Sequence, residues 1–155
     1  MMCSITLAGE AFSNAGAGYN GFTGGTANAT AGYRGDGPGY ARTDTRTGNV
    51  NFAQGVSWGM DQHGLSFSAS NAIATRFLPA AASNLNISIG FDGSVGSSGG
   101  MSIATGPIDR YAHAGGSAMN HRGGSTAIST AGGRSDPFGR VEARTFAKSQ
   151  KSRRR

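Results

Sequence analysis

The sequence predicts a small, Gly-rich, all-β fold, an antiparallel meander or sandwich with disordered N- and C-terminal segments. Apolar residues occupy nearly every second position from Val50 to Ile73 and again from Leu85 to Phe91, which is the pattern of half-buried strands. The large aliphatic residues and phenylalanines are concentrated in the same part of the chain, where a core can form. Glycine accounts for 27 of the 155 residues, and Gly-rich segments have a high entropic cost of ordering.

A β-hairpin forms the centre of the predicted domain. Residues 50–60 and 65–73 form its strands, and Asp61-Gln62-His63-Gly64 forms the connecting turn. The register pairs Met60 with Leu65, Trp58 with Phe67, Val56 with Ala69, Gln54 with Asn71 and Phe52 with Ile73, and on the other face Gly59 with Ser66, Ser57 with Ser68, Gly55 with Ser70 and Ala53 with Ala72. A slip of one residue would exchange the two faces.

The apolar face of this sheet is the predicted core. Its members are Phe52, Val56, Trp58, Met60, Leu65, Phe67, Ile73, Leu85, Ile87, Ile89 and Phe91. Trp58, the only tryptophan, should therefore be largely buried, and its replacement by Ala should cost about 3–5 kcal/mol. The opposite face of Gly, Ser and Ala permits close approach of another sheet or chain, so we expect self-association through it; the alternative is that it faces solvent.

The pattern is less regular after the hairpin. A short helix over 72–78 is an alternative end to the second strand, and residues 80–84 connect it to a strand from Leu85 to Phe91. A three-residue turn then places Phe91 opposite Val95 and Leu85 opposite Met101. We expect short strands at 101–104 and 126–130, and a loop at 111–124.

Four segments are predicted along the chain. Residues 1–17 are a possible truncated signal peptide, because Ser13-Asn14-Ala15 and Ala15-Gly16-Ala17 have small residues at alternate positions; an ordinary N-terminus is the alternative. Residues 18–40 are a flexible arm, 41–147 the β-rich domain, and 148–155 a basic tail. The apolar segments are too short for a membrane-spanning helix.

A weak internal repeat relates two charged segments. Arg34, Asp36, Pro38, Tyr40, Arg42, Asp44, Arg46 and Thr47 correspond to Arg134, Asp136, Pro137, Phe138, Arg140, Glu142, Arg144 and Thr145. The repeat predicts two similar turn-and-strand units that flank the hairpin as charged edge strands, where charge opposes aggregation. Chance similarity between low-complexity segments is the alternative.

The positive charge is located at the C-terminus. From Arg140 onward there are seven basic residues and one acid, which equals the formal charge of +6 of the whole chain. A polyanion, either nucleic acid or acidic polysaccharide, is therefore a possible partner, and its predicted ligands are Arg144, Lys148, Lys151, Arg153, Arg154 and Arg155. A solvated tail without a partner is the alternative.

No set of residues predicts catalysis, a metal site or a cofactor. The three histidines lack metal-ligand spacing, and the acids are scattered singly. We therefore expect a non-enzymatic structural or interaction protein, secreted or at the cell surface. An intracellular polyanion binder and a small hydrolase with an unrecognised site are the alternatives.

Overall fold

A computed structural model describes residues 9–22 and 24–151, and these residues form two antiparallel β-sheets, which confirms the all-β class. The strands are β1 (Gly9–Asn20), β2 (Gly24–Arg34), β3 (Gly39–Arg46), β4 (Val50–Met60), β5 (Gly64–Thr75), β6 (Ala80–Gly90), β7 (Val95–Thr105), β8 (Asp109–His121), β9 (Gly124–Ser135) and β10 (Arg140–Gln150). Within these ranges no helix is long and apolar enough to cross a membrane.

The two sheets differ in size. One has four strands in the order β2-β1-β8-β9, and the other has six in the order β10-β7-β6-β5-β4-β3. The prediction of charged edge strands is confirmed, because β3 and β10 are the two edges of the six-stranded sheet. The strand orders are also symmetric, since β1 to β5 occupy positions equivalent to those of β8, β9, β10, β7 and β6.

The predicted hairpin register is confirmed at every pair, from Phe52 with Ile73 to Met60 with Leu65. The predicted register of the next hairpin is wrong, because Val95 pairs with Ile89 and Leu85 pairs with Gly99. The turn there is one residue longer at its start than predicted, and the amide of Gly90 donates to the carbonyl oxygen of Ser94 at 2.8 Å.

The prediction of the buried face of the six-stranded sheet is wrong. The face of small residues is the one that packs on the four-stranded sheet, and Ser57 and Ser68 on it are fully buried. Trp58 and Leu85 on the other face are each 43% exposed, and Phe91 in the turn is 63% exposed. Met60, Leu65, Ile73 and Ile89 are also exposed, and Phe52, Val56, Phe67 and Ile87 are only half-buried.

Close contact between the sheets is the physical reason for this orientation. A Cβ atom on Gly55 of β4 would lie only 2.8 Å from the backbone oxygen of Thr30 on β2, in the facing sheet. A Cβ atom on Gly96 of β7 would lie 3.0 Å from the backbone carbon of Thr126 on β9. An interior of this thickness accepts Gly, Ala, Ser and Asn, while large aliphatic side chains need the usual sheet spacing of about 10 Å.

Strands β1 and β2 occupy most of the two segments predicted at the N-terminus. Residues 9–17, predicted as part of a signal peptide, lie in β1 between two paired strands, while residues 1–8 are outside the described residues. Residues 18–40, predicted as a flexible arm, contain the end of β1, all of β2 and the start of β3. Small residues allow this segment to order, because β2 pairs with β1 along its whole length and Ala27 and Ala29 pack against the buried alanines. The loop predicted at 111–124 is mostly strand β8.

Candidate interaction surface

The buried interface between the two sheets is polar and hydrogen-bonded. Ser57, Ser88 and Ser102 donate from Oγ to the backbone oxygens of Phe12, Thr126 and His113 at 2.8, 2.9 and 2.8 Å. Each bond runs from the six-stranded sheet to a strand of the four-stranded sheet. A carbonyl oxygen has two lone pairs, so it accepts these bonds in addition to its bond within the sheet.

Buried asparagines extend this network, and Asn86 Nδ2 donates to Ile128 O at 3.0 Å. Asn84 Nδ2 donates to Gly115 O at 2.8 Å, Asn51 Nδ2 donates to Gly18 O at 3.1 Å, and Asn120 Nδ2 donates to Leu65 O at 2.6 Å. Reversing the faces of the six-stranded sheet would break all these contacts and place aliphatic side chains against backbone carbonyls. The polar network therefore determines which face points inward, and the apolar face remains outside.

The outer faces of the two sheets have opposite character. The outer face of the four-stranded sheet is mostly polar, and its exposed members include Asn14, Asn28, Thr30, Thr126 and Thr130. The outer face of the six-stranded sheet, which we call the apolar face, has four complete rows of six residues that run across the strands from β3 to β10. Row 1 is Tyr40, Trp58, Phe67, Ile87, Ser97 and Lys148; row 2 is Arg42, Val56, Ala69, Leu85, Gly99 and Phe146; row 3 is Asp44, Gln54, Asn71, Ser83, Met101 and Arg144; row 4 is Arg46, Phe52, Ile73, Ala81, Ile103 and Glu142. A shorter row of Met60, Leu65, Ile89 and Val95 lies beside row 1, and Val50 lies beside row 4.

Charged residues occupy only the two ends of each row. Arg42, Asp44 and Arg46 alternate along β3, and Arg46 lies 3.4 Å from Asp44. On β10, Glu142 and Arg144 alternate in the same way, followed by Phe146 and Lys148. Apart from Gln54, Asn71 and Ser83 in row 3 and Ser97 in row 1, the central positions of the rows are apolar or glycine. A largely apolar centre with a charged rim is the usual composition of a protein–protein interface.

The residues predicted to bind a polyanion are only partly described. Arg144 and Lys148 lie on the exposed edge strand β10, and Lys151 follows it and is exposed. Arg153, Arg154 and Arg155 lie outside the described residues. Because Phe146 separates Arg144 from Lys148, these side chains do not form a continuous basic row on β10.

A second apolar feature lies at the end of the sandwich where β5 leads into β6. Phe22, Phe77 and Phe138, on three different turns, are 84%, 87% and 85% exposed. Arg110, which is only 4% exposed, ties the neighbouring turns together. Its guanidinium donates to the backbone oxygens of Leu78 at 3.0 Å and Thr75 at 2.6 Å, and to those of Arg76 and Gly106.

Two aspartates stabilise turns at opposite ends of the sandwich. Asp136 accepts hydrogen bonds from the backbone amides of Ile108 at 2.8 Å and Phe138 at 2.9 Å, and such bonds hold its pKa below the usual value. Asp92 accepts from the hydroxyl and the amide of Ser94, which lowers its pKa in the same way. Both carboxylates have a structural role in turns.

The described residues contain no group of three or more His, Cys, Asp or Glu side chains placed to hold a metal ion. His63 lies in the turn between β4 and β5, and His113 and His121 lie on the outer side of β8. The ring centroids of Tyr111 and His113 are 5.9 Å apart.

No protein-family model, curated protein or solved structure matches this chain.

The sequence contains a signal for the orientation of the sheet. Serine and asparagine recur at the inward positions of β5 and β6, as in Ser66, Ser68, Asn84 and Asn86, whereas solvent-facing polar positions of a sheet usually contain charged residues. The inward face therefore has side chains that are small and able to hydrogen-bond to backbone.

Proposed function

We propose that the protein is a non-enzymatic structural protein at the cell surface or outside the cell, and that it works by binding a second copy of itself through the apolar face. Self-association through the small-residue face is excluded by its burial inside the sandwich. The observation that supports the proposal is a set of nine large apolar side chains on the other face, each between 40% and 50% exposed: Val50, Trp58, Met60, Leu65, Ile73, Leu85, Ile89, Val95 and Met101.

The size of the apolar face fits a second copy. Six strands about 4.8 Å apart and roughly 11 residues long define a face of about 29 by 36 Å, or roughly 1,000 Å². Burying this face on both copies removes roughly 2,000 Å² from water, and stable interfaces bury about 1,200–2,000 Å².

The extracellular placement rests on the sequence, namely on the uncharged and mildly apolar residues 1–8. Its test is the location and intact mass of the native product in fractionated cells and medium. Recovery of the product only from the cell interior would contradict this part of the proposal.

The experiment for self-association is sedimentation velocity on the purified chain. We expect wild type to sediment as a dimer or larger species, and Trp58→Lys to sediment as a monomer with an unchanged circular dichroism spectrum. Thr130→Lys, which adds the same charge to the polar outer face, should leave association intact. A wild-type chain that stays monomeric at its highest soluble concentration would overturn the proposal, as would equal effects of the two substitutions.

A further inference from the structure

We infer that two copies pair about a two-fold axis that lies in the interface, crosses the strands at right angles, and passes between rows 2 and 3. Each strand of the six-stranded sheet then faces the same strand of the other copy, in antiparallel orientation. This inference rests on the proposed self-association and adds its geometry. Row 2 of one copy faces row 3 of the other, and row 1 faces row 4.

The charged rim supports this arrangement. On β3, Arg42 of one copy faces Asp44 of the other. On β10, Lys148 of one copy faces Glu142 of the other. The symmetry repeats each contact, so the rim gains four contacts between opposite charges. Self-complementarity of this kind is what a two-fold interface requires.

The remaining ends of the rows are also matched. Tyr40 of one copy faces Arg46 of the other, and Phe146 faces Arg144, so each guanidinium meets an aromatic ring. A cation above an aromatic ring is attracted by the negative charge of its face.

The shape of the apolar face supports the same axis. A hollow in the face is lined by small residues, including Ala81 and Ser83, with Ile73 and Met101 at its sides. The proposed rotation places Leu85 of the other copy over Ser83 and Ile87 over Ala81, because these residues lie on the same strand in opposed rows. Large side chains of each copy thus fill the hollow of the other, as close packing requires.

A two-fold axis parallel to the strands is the competing arrangement. It places β3 of one copy on β10 of the other, so that Glu142 faces Arg46, Arg144 faces Asp44 and Lys148 faces Tyr40. Its rim therefore has as many contacts between opposite charges as the proposed one. It leaves the hollows of the two copies facing each other, whereas the proposed axis places Leu85 and Ile87 over them, and this difference in shape favours the proposed axis.

Charge exchange on β10 distinguishes the two arrangements. In the proposed pairing, Glu142→Lys and Lys148→Glu each create two contacts between like charges, and each should raise the dimer dissociation constant about tenfold. The double variant E142K/K148E restores both contacts and should bind within about threefold of wild type. The two positions are about 20 Å apart on one strand, so they do not compensate within one chain.

The measurement is sedimentation equilibrium of wild type, both single variants and the double variant, with Thr130→Lys as the control for added charge. Restoration in the double variant supports the proposed axis. A double variant as weak as Glu142→Lys would overturn it in favour of another pairing, while the Trp58 dependence of association would still stand. If wild type does not associate, the proposed function itself fails.

Discussion

Replacement of Asn86 by Ala should destabilise the fold more than replacement of the neighbouring Leu85. Asn86 is fully buried, and its Nδ2 donates to Ser98 Oγ at 3.1 Å and to Ile128 O at 3.0 Å. Its Oδ1 accepts from Ser68 Oγ at 2.6 Å. Each such bond contributes about 0.5–1.5 kcal/mol net, and unpaired partners stay buried, so Asn86→Ala should lower the free energy of unfolding by about 2–4 kcal/mol.

Leu85→Ala is the matched control. Leu85 is 43% exposed on the outer face, so truncating it should cost only about 1 kcal/mol in the monomer. The assay is urea unfolding followed by circular dichroism, at a concentration where sedimentation shows monomers, with both variants in parallel. In a β-sandwich whose core is formed by large aliphatic side chains, truncating the leucine would cost more than truncating the asparagine. If Leu85→Ala costs more than Asn86→Ala, the apolar face is the core and the orientation described above is wrong.

Three further predictions concern the close packing of the two sheets, the hydrogen bonds of Arg110 to the turns, and the pH dependence of stability. Gly55→Ala should cost about 2–3 kcal/mol in urea unfolding, because the added carbon meets backbone of the facing sheet, whereas Gly124→Ala, which meets only ordinary contacts, should cost less than 1 kcal/mol. Arg110→Met should lower the unfolding free energy by about 2–4 kcal/mol and speed amide hydrogen exchange in the turns that Arg110 joins, because four carbonyl oxygens lose their donor. Asp92 and Asp136 have lowered pKa values in the folded state, so their stabilisation is present above about pH 4 and is lost below it; Asp136→Asn should flatten this dependence in thermal unfolding between about pH 2 and 5.

The sequence was sufficient to predict the hairpin register but not the direction of its faces. Alternation determines which residues share a face, and the pairing of Trp58 with Phe67 follows from it directly. The same pattern is produced whether the apolar side faces in or out. Apart from the Ser and Asn residues at the inward positions, the orientation depends on the facing sheet, which is formed by β1, β2, β8 and β9, whose small residues lack a strong strand pattern.

The N-terminal arm illustrates the same limitation. Composition predicts that residues 18–40 remain mobile, because Gly and Ala lose much backbone entropy and bury little apolar area. In the structure, strand pairing and close packing of alanines offset this loss of backbone entropy. Ala27 and Ala29 of β2 pack against the buried alanines, and β2 pairs along its length with β1, which pairs on its other side with β8. These are long-range contacts with β8, about a hundred residues away, and no local pattern predicts them.

Folding and association use different residues of the same strands in this molecule. Along β4, Ser57 points inward and donates to Phe12 O, while Trp58 points outward into row 1. Hydrogen bonds between the sheets hold the monomer together, whereas the apolar area that usually stabilises a core remains on the surface. In the proposed dimer, a second copy covers this area with complementary charge and shape. Substitutions at inward positions should therefore change unfolding, and substitutions at outward positions should change the dissociation constant, so the two properties can be altered separately along a single strand.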